Sequence, residues 1–328
     1  MTKKTGRKIG FILVILVFGL LLFSQANAFD KDMKLSALCG PVGGSGFSFM
    51  SVWAPVINSA LDTNISVQSR GGNAMTARLV DSGTGHFGLT TAGLSYQGMV
   101  GKADWANNQK LTNMRAVAVF QPYVFQAYGL EKSGIKKFED LNGKAVSYNR
   151  KGTSTQTYLE QWSDLLGLKP AKIIYLGPGQ GNKMIADGRL DAQFTTGTVP
   201  HNATLELEAN HKIFVISFGK ELVDKIVAQH PEVSPYTIKA GTYKSLDHDV
   251  YTIADALLLI AHKDLPDDLV YSIVKTTFEK KKELVQGFSQ FKRASVENIF
   301  KSTIPLHPGA VKFYKEQGIS LPDKLLPK

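Results

Sequence analysis

Three short loops hold the residue types in this chain best suited to binding chemistry. They read Gly43-Gly-Ser-Gly-Phe-Ser-Phe49, Arg70-Gly-Gly-Asn73 and Gly152-Thr-Ser-Thr155. Each stands before a stretch with helical apolar spacing. A helix N-terminus presents free backbone N–H groups and the positive end of its dipole, so a glycine-rich turn ahead of it suits an anion. Gly44, Ser45, Phe47 and Ser48 of the first loop, Gly72 and Asn73 of the second, and Thr153, Ser154 and Thr155 of the third are the candidate ligand contacts. The polar side chains Ser48, Asn73, Thr153, Ser154 and Thr155 have an equal claim as helix N-caps, because capping uses the same geometry. Phe47 could wall a cleft or fasten its helix to the core. Arg70 follows a strand-like run and could hold a carboxylate through two parallel bonds; the alternative is a surface arginine. Thr91, Tyr123, Thr196 and Pro200 lie at the ends of strand-like runs and complete the set.

Patterns for catalysis or metal binding do not form. Gly177-Pro-Gly-Gln-Gly-Asn departs from G-x-G-x-x-G at its last position, and no Walker lysine follows. Phe47 stands where a nucleophile elbow needs glycine. The seven histidines include no pair three or four residues apart. Asp247-His248-Asp249 is the nearest approach to a metal cluster, and one histidine between two acids in a loop offers too few ligands. Asp267 and Asp268 follow Pro266, where acids suit a helix N-terminus. The expectation is no catalytic group, no metal and no cofactor.

The elements that must position these loops alternate in type. Strand-like runs occupy 34–39, 65–68, 86–91, 115–120, 145–148, 172–176, 191–195 and 213–217, with a long apolar one at 251–261. Helical spacing covers Val52 to Leu61, 74–81, and 158–166, where Gly167 suits a C-cap. The stretches 267–285, 290–300 and 309–317 also read as helices. Pro55 predicts a kink or a later start of the first helix. Two strand–helix series of similar size predict an α/β fold of two lobes. Open α/β sheets take ligands beyond the carboxyl ends of their strands, where the three loops lie. The site is therefore expected in a cleft between lobes.

The first 28 residues read as a secretory leader. Lys3, Lys4, Arg7 and Lys8 precede an apolar run from Ile9 to Phe23, and Ala26-Asn27-Ala28 has the small-x-small form of a cleavage site. Cleavage after Ala28 and export are expected; the apolar run falls short of the roughly 20 residues of a spanning helix. The net charge of +10 falls to +6 without the leader, and the basic residues are scattered, which excludes a nucleic-acid patch. Cys39 is the sole cysteine, so no internal disulfide forms and core packing is its expected role.

Several segments carry a family resemblance. Besides the three loops, these are Asp140-Leu-Asn-Gly-Lys-Ala-Val-Ser, Gly188-Arg-Leu-Asp-Ala-Gln-Phe, Gly241-Thr-Tyr, Asp267-Asp-Leu-Val-Tyr, and Pro305-Leu-His-Pro-Gly-Ala with Phe313-Tyr-Lys-Glu-Gln-Gly after it. Together they resemble the TAXI family, the solute receptors of tripartite ATP-independent periplasmic (TRAP) transporters. The resemblance covers nearly the whole chain after the leader. It implies a type II periplasmic binding fold with lobes at 29–125 plus 251–328 and at 126–250, joined by a hinge. It implies a membrane permease driven by an ion gradient as partner, and a small carboxylate such as glutamate or 2-oxoglutarate as ligand. The chain departs from the family pattern at Arg70, Met75-Thr76, Thr90-Thr91-Ala92 and Gly152-Thr-Ser-Thr. A monomeric periplasmic receptor that closes on a small organic anion is the expectation. A ligand sensor that docks a signalling partner, or an enzyme on the same fold, are the rivals.

Overall fold

The computed structural model describes residues 29–327. The expected leader lies outside the described residues. Among the described residues no helix is long and apolar enough to cross a membrane.

The first strand, β1 (Lys34–Cys39), pairs in parallel with β2 (Asn64–Ser69) on one side and β3 (Phe87–Thr91) on the other. Between β1 and β2 runs α1 (Ser45–Leu61). Phe49, Met50, Trp53, Ala54 and Ile57 recur at helical spacing and are buried. Phe49 packs against Phe120 and Phe291, with ring centroids 4.6 and 4.2 Å away and the rings tilted. The Trp53 indole N–H donates to Thr277 Oγ1 at 2.9 Å. Helix α1 starts well before Pro55 and runs through it. Pro55 and Ser51 both face solvent, so water can serve the carbonyl that the missing N–H leaves open. Helix α2 (Asn73–Asp81) joins β2 to β3, and α3 (Ala92–Val100), which the spacing did not announce, follows β3 directly.

Two long strands then tie the molecule together. The run expected at 115–120 is part of β4 (Met114–Leu130), and the one at 251–261 is β10 (Val250–His262). The end of β10 lies between β3 and the start of β4, both antiparallel to it. Beyond Val124, β4 pairs instead with β7 (Ala192–Gly197) and β8 (Ile213–Ile216). The start of β10, up to Ala254, pairs with β9 (Ser234–Ile238). The sheet is completed by β5 (Ala145–Ser147) and β6 (Lys172–Ile174), giving the order β2-β1-β3-β10-β4-β7-β5-β6. Each long strand therefore serves two half-sheets. This is the two-lobed, type II periplasmic binding fold.

The second half-sheet is covered on both faces. On one, Phe125, Phe138, Phe194 and Phe218 pack with Tyr158 and Trp162 of α4 (Ser154–Gln161) and the segment after it. Tyr128, Ile185 and Tyr243 pack the other, with Ile185 on α6 (Pro178–Ala186) after the short α5 (Ser163–Leu166). Gly167 ends α5 at φ 59, as a left-handed C-cap. Helices α7 (Asn202–Glu208) and α8 (Lys220–Gln229) flank β8. The C-terminal region supplies α9 (Asp267–Glu279), α10 (Lys281–Gly287) and α11 (Pro308–Glu316). The stretch 290–300, expected as one helix, forms two 3-10 segments, Ser289–Arg293 and Val296–Lys301. Cys39 is buried at the end of β1, and burial pushes its thiol up to about 12.

Candidate functional site

The three glycine-rich loops meet at one cavity between the half-sheets. Gly44, Ser45, Asn73, Tyr123, Thr153, Ser154, Thr155 and Thr196 of the sequence candidates line it, with Gly40, Pro41, Gly46, Asn149, Pro178, Thr195 and His201. Helices α1, α2, α4 and α6 all begin there. Three of them start from glycines, Gly44, Gly72 and Gly177, that give no side-chain cap. No capping side chain masks their first turns, although α6 opens on Pro178, which has no N–H, and the Ala74 N–H of α2 is taken by the Gly152 carbonyl. Only α4 is capped at this end, by the Thr153 hydroxyl accepting from the Gln156 N–H at 3.3 Å.

The remaining candidates lie elsewhere. Arg70 is exposed, and its Nε donates to Gln68 Oε1 at 3.2 Å rather than turning toward the cavity. Phe47 and Ser48 are half-buried beyond the lining, with the Ser48 hydroxyl bonded back to the Gly44 carbonyl. Thr91 is fully buried as the N-cap of α3, accepting from the Leu94 N–H at 3.5 Å. Pro200 is half-buried, and its carbonyl accepts from the Thr198 hydroxyl. Gly72 carries the start of α2 and meets the opposite loop, where its backbone leaves no room for a β-carbon.

Hydrogen bonds cross the cavity from one lobe to the other. Ser154 Oγ donates to Asn73 Oδ1 at 3.2 Å, and the Ala74 N–H donates to the Gly152 carbonyl at 3.2 Å. The Thr198 N–H donates to Ser45 Oγ at 3.3 Å. Thr155 Oγ1 donates to Thr196 Oγ1 at 3.0 Å within the second lobe. These contacts leave a space of about 20 Å³. Such a space takes a water-sized group. A larger solute is admitted only when the walls part.

The electrostatics of the lining come from dipoles. Among the described residues that line the cavity, none is Arg, Lys, Asp or Glu. His201 is fully buried at the start of α7, and burial holds its imidazole down to about 4, hence neutral at neutral pH. Its Nε2 lies 3.3 Å from Thr195 Oγ1, while Nδ1 is buried without a partner. Burial raises the Tyr123 hydroxyl, and the Cys39 thiol adds to the effect. Nothing around His201 in the sequence marked it, although it follows a strand-like run and ends a loop. Asn149 was hidden in an Asn-Arg-Lys segment; it holds a φ of 67° and bonds to Thr155.

A buried carboxylate sits where the long strands cross. Asp255 of β10 accepts from the Gly93 N–H at the start of α3, at 3.1 and 3.2 Å, and from the Tyr158 hydroxyl at 2.7 Å. Burial pushes its carboxyl up to about 6 against these bonds. The metal-like triplet at 247–249 is ordinary surface: His248 pairs with Asp247, and Asp249 with Lys239. Among the described residues no group of acids, histidines and cysteine could hold a metal ion.

The sequence profile described as the NMT1-like family matches residues 38–318, so the chain belongs to the NMT1-like family. Its fold is shared by MatC (Rpa3494) from Rhodopseudomonas palustris with bound malate, at a TM-score of 0.56 and 11% identity over 87% of this chain and 96% of that one. The periplasmic binding protein BugD matches at 0.56 and 11%, covering 89% and 99%. A further structure, of a periplasmic transporter, matches at 0.54 and 15%, covering 88% and 93%. At these identities the likeness is one of fold.

Proposed function

We propose that this chain is a periplasmic solute-binding receptor that closes its two lobes on a small carboxylate and delivers it to a membrane permease. The observation that carries this is the convergence of four helix N-termini, three without a side-chain cap, on one interlobe cavity. Uncapped N–H groups and dipole ends suit a carboxylate without an arginine. The bound malate of MatC is a solute of the same chemical class. Gly44, Ser45, Asn73, Tyr123, Thr153, Ser154, Thr155 and Thr196 are the contacts we assign, with the lobes at 29–125 plus 251–328 and at 126–250. Within the NMT1-like family we assign the chain to the TAXI receptors, with a TRAP permease as its partner and export through a leader cut after Ala28.

Closure follows from contact with both lobes, since a ligand shifts the balance by its preference for the closed form. Calorimetric titration with L-malate, L-glutamate and 2-oxoglutarate, each against its amide counterpart, tests the ligand class. Binding of at least one acid, lost on amidation, is expected. Equal binding of acid and amide would remove the carboxylate from the proposal.

A further inference from the structure

Resting on that carboxylate reading, we propose that His201 supplies the countercharge for the bound anion. Its Nδ1 takes a proton from solvent as the ligand enters and donates it in a hydrogen bond to a ligand carboxylate oxygen. The cavity lining, as described, has no cationic side chain, and helix N-termini offer only partial charges. A carboxylate shut into such a space keeps a full negative charge with no full positive one beside it, which is costly. His201 is the one lining side chain with a basic group that can take up a proton.

The geometry leaves the needed atom free. Nε2 faces the Thr195 hydroxyl, to which it can donate. The backbone N–H is committed to the Tyr243 hydroxyl at 2.8 Å. Nδ1 alone is buried and unpartnered. With both ring nitrogens protonated, each would have an acceptor: Thr195 on one side and the ligand on the other.

No lining residue carries a full charge, and the Arg150 guanidinium stands outside the lining, against Gly177 at the start of α6. Thr195 and Gly197 of β7 and Ser45 of α1 are neutral neighbours. The titratable groups near the ring are Tyr243, whose hydroxyl bonds Gln126, and Tyr123 in the lining; burial raises both, so they stay neutral. Glu206 and Glu208 of α7 bear on the Tyr128 and Tyr243 hydroxyls. Burial is the one cause acting on His201 itself. An anion in contact raises a neighbouring imidazole by roughly one to three pH units. The complex then holds more protons than the free receptor, so affinity increases as pH falls.

The test is calorimetric titration of L-malate, 2-oxoglutarate and acetate into the wild-type protein, in MES and in bis-Tris, at steps from about pH 5.5 to 7.2. These buffers differ in ionisation heat, so proton uptake appears as a buffer-dependent heat. Expected are uptake of up to about one proton per ligand at low pH, and affinity falling by up to about tenfold per pH unit until the bound imidazole has titrated. His201→Gln is expected to bind with the same affinity throughout that range. Should the variant not fold, the wild-type buffer heats decide alone. Binding with equal heats in both buffers and no pH dependence would overturn the role of His201 and leave the carboxylate receptor standing. Failure of every carboxylate to bind at any of these pH values would overturn both.

Discussion

A β-carbon on Gly72 would stand 2.2 Å from the Gly152 carbonyl oxygen and 2.4 Å from the Thr153 Cα. Gly72 leads into α2 on the first lobe, and Gly152 belongs to the loop before α4 on the second. The two lobes therefore touch backbone to backbone at the rim of the cavity. Beside them Ser154 donates to Asn73, and Ala74 to Gly152. Closure depends on a residue with no side chain at this point.

Gly72→Ala is accordingly expected to disfavour the closed form. Backbone cannot yield as a flexible side chain does, and overpacking of this kind costs about 1–3 kcal/mol. The contact exists only when the lobes meet, so the cost falls on closure rather than on folding. Ligand affinity is expected to drop by roughly tenfold or more. Small-angle scattering of the liganded variant should give a larger radius than the wild type. An unchanged affinity and radius would show that closure tolerates a wider gap.

Arg70→Ala is expected to change affinity by less than about twofold, as for a surface substitution. The side chain is exposed and engaged with Gln68. Calorimetric titration against wild type checks this, and a loss of tenfold or more would mean that Arg70 turns inward on the ligand. The case shows where sequence reading reaches its limit. An arginine beside a glycine turn is legible, but the direction of its side chain depends on the strand register of β2, which no local spacing encodes. The Gly/Ser/Thr loops were legible because uncapped helix starts need small residues, and eight of their candidates and strand-end companions line the cavity. His201 was not, since a lone histidine has no periodic signal. The length of β4 was masked by Gln121-Pro122 in its middle, where proline lacks a ladder donor. The acid in Thr252-Ile-Ala-Asp255-Ala-Leu-Leu was visible as a charge inside an apolar strand, yet its partners Gly93 and Tyr158 come from distant helices.

Asp255 gives a pH prediction. Burial holds its native carboxyl up to about 6, above the usual carboxylate value of about 3.9. Between those values the native protein holds a proton that the unfolded chain has released. Stability therefore declines as pH rises through this window, by an amount on the order of 3 kcal/mol for this group. Asp255→Asn removes the titration, so the stability of wild type relative to the variant should fall between about pH 4 and 6. Denaturant unfolding at a series of pH values measures it. Parallel pH profiles for the two proteins would mean that the native carboxyl titrates where the unfolded one does.

The central claim is that a small carboxylate occupies the cavity where α1, α2, α4 and α6 begin. Native mass spectrometry of protein released from the periplasm without refolding, followed by identification of the co-purified molecule, tests it most directly. A bound small carboxylate is predicted, one that raises the melting temperature of stripped protein when added back. A cationic or uncharged solute recovered from the site, with no melting shift from any carboxylate, would contradict it.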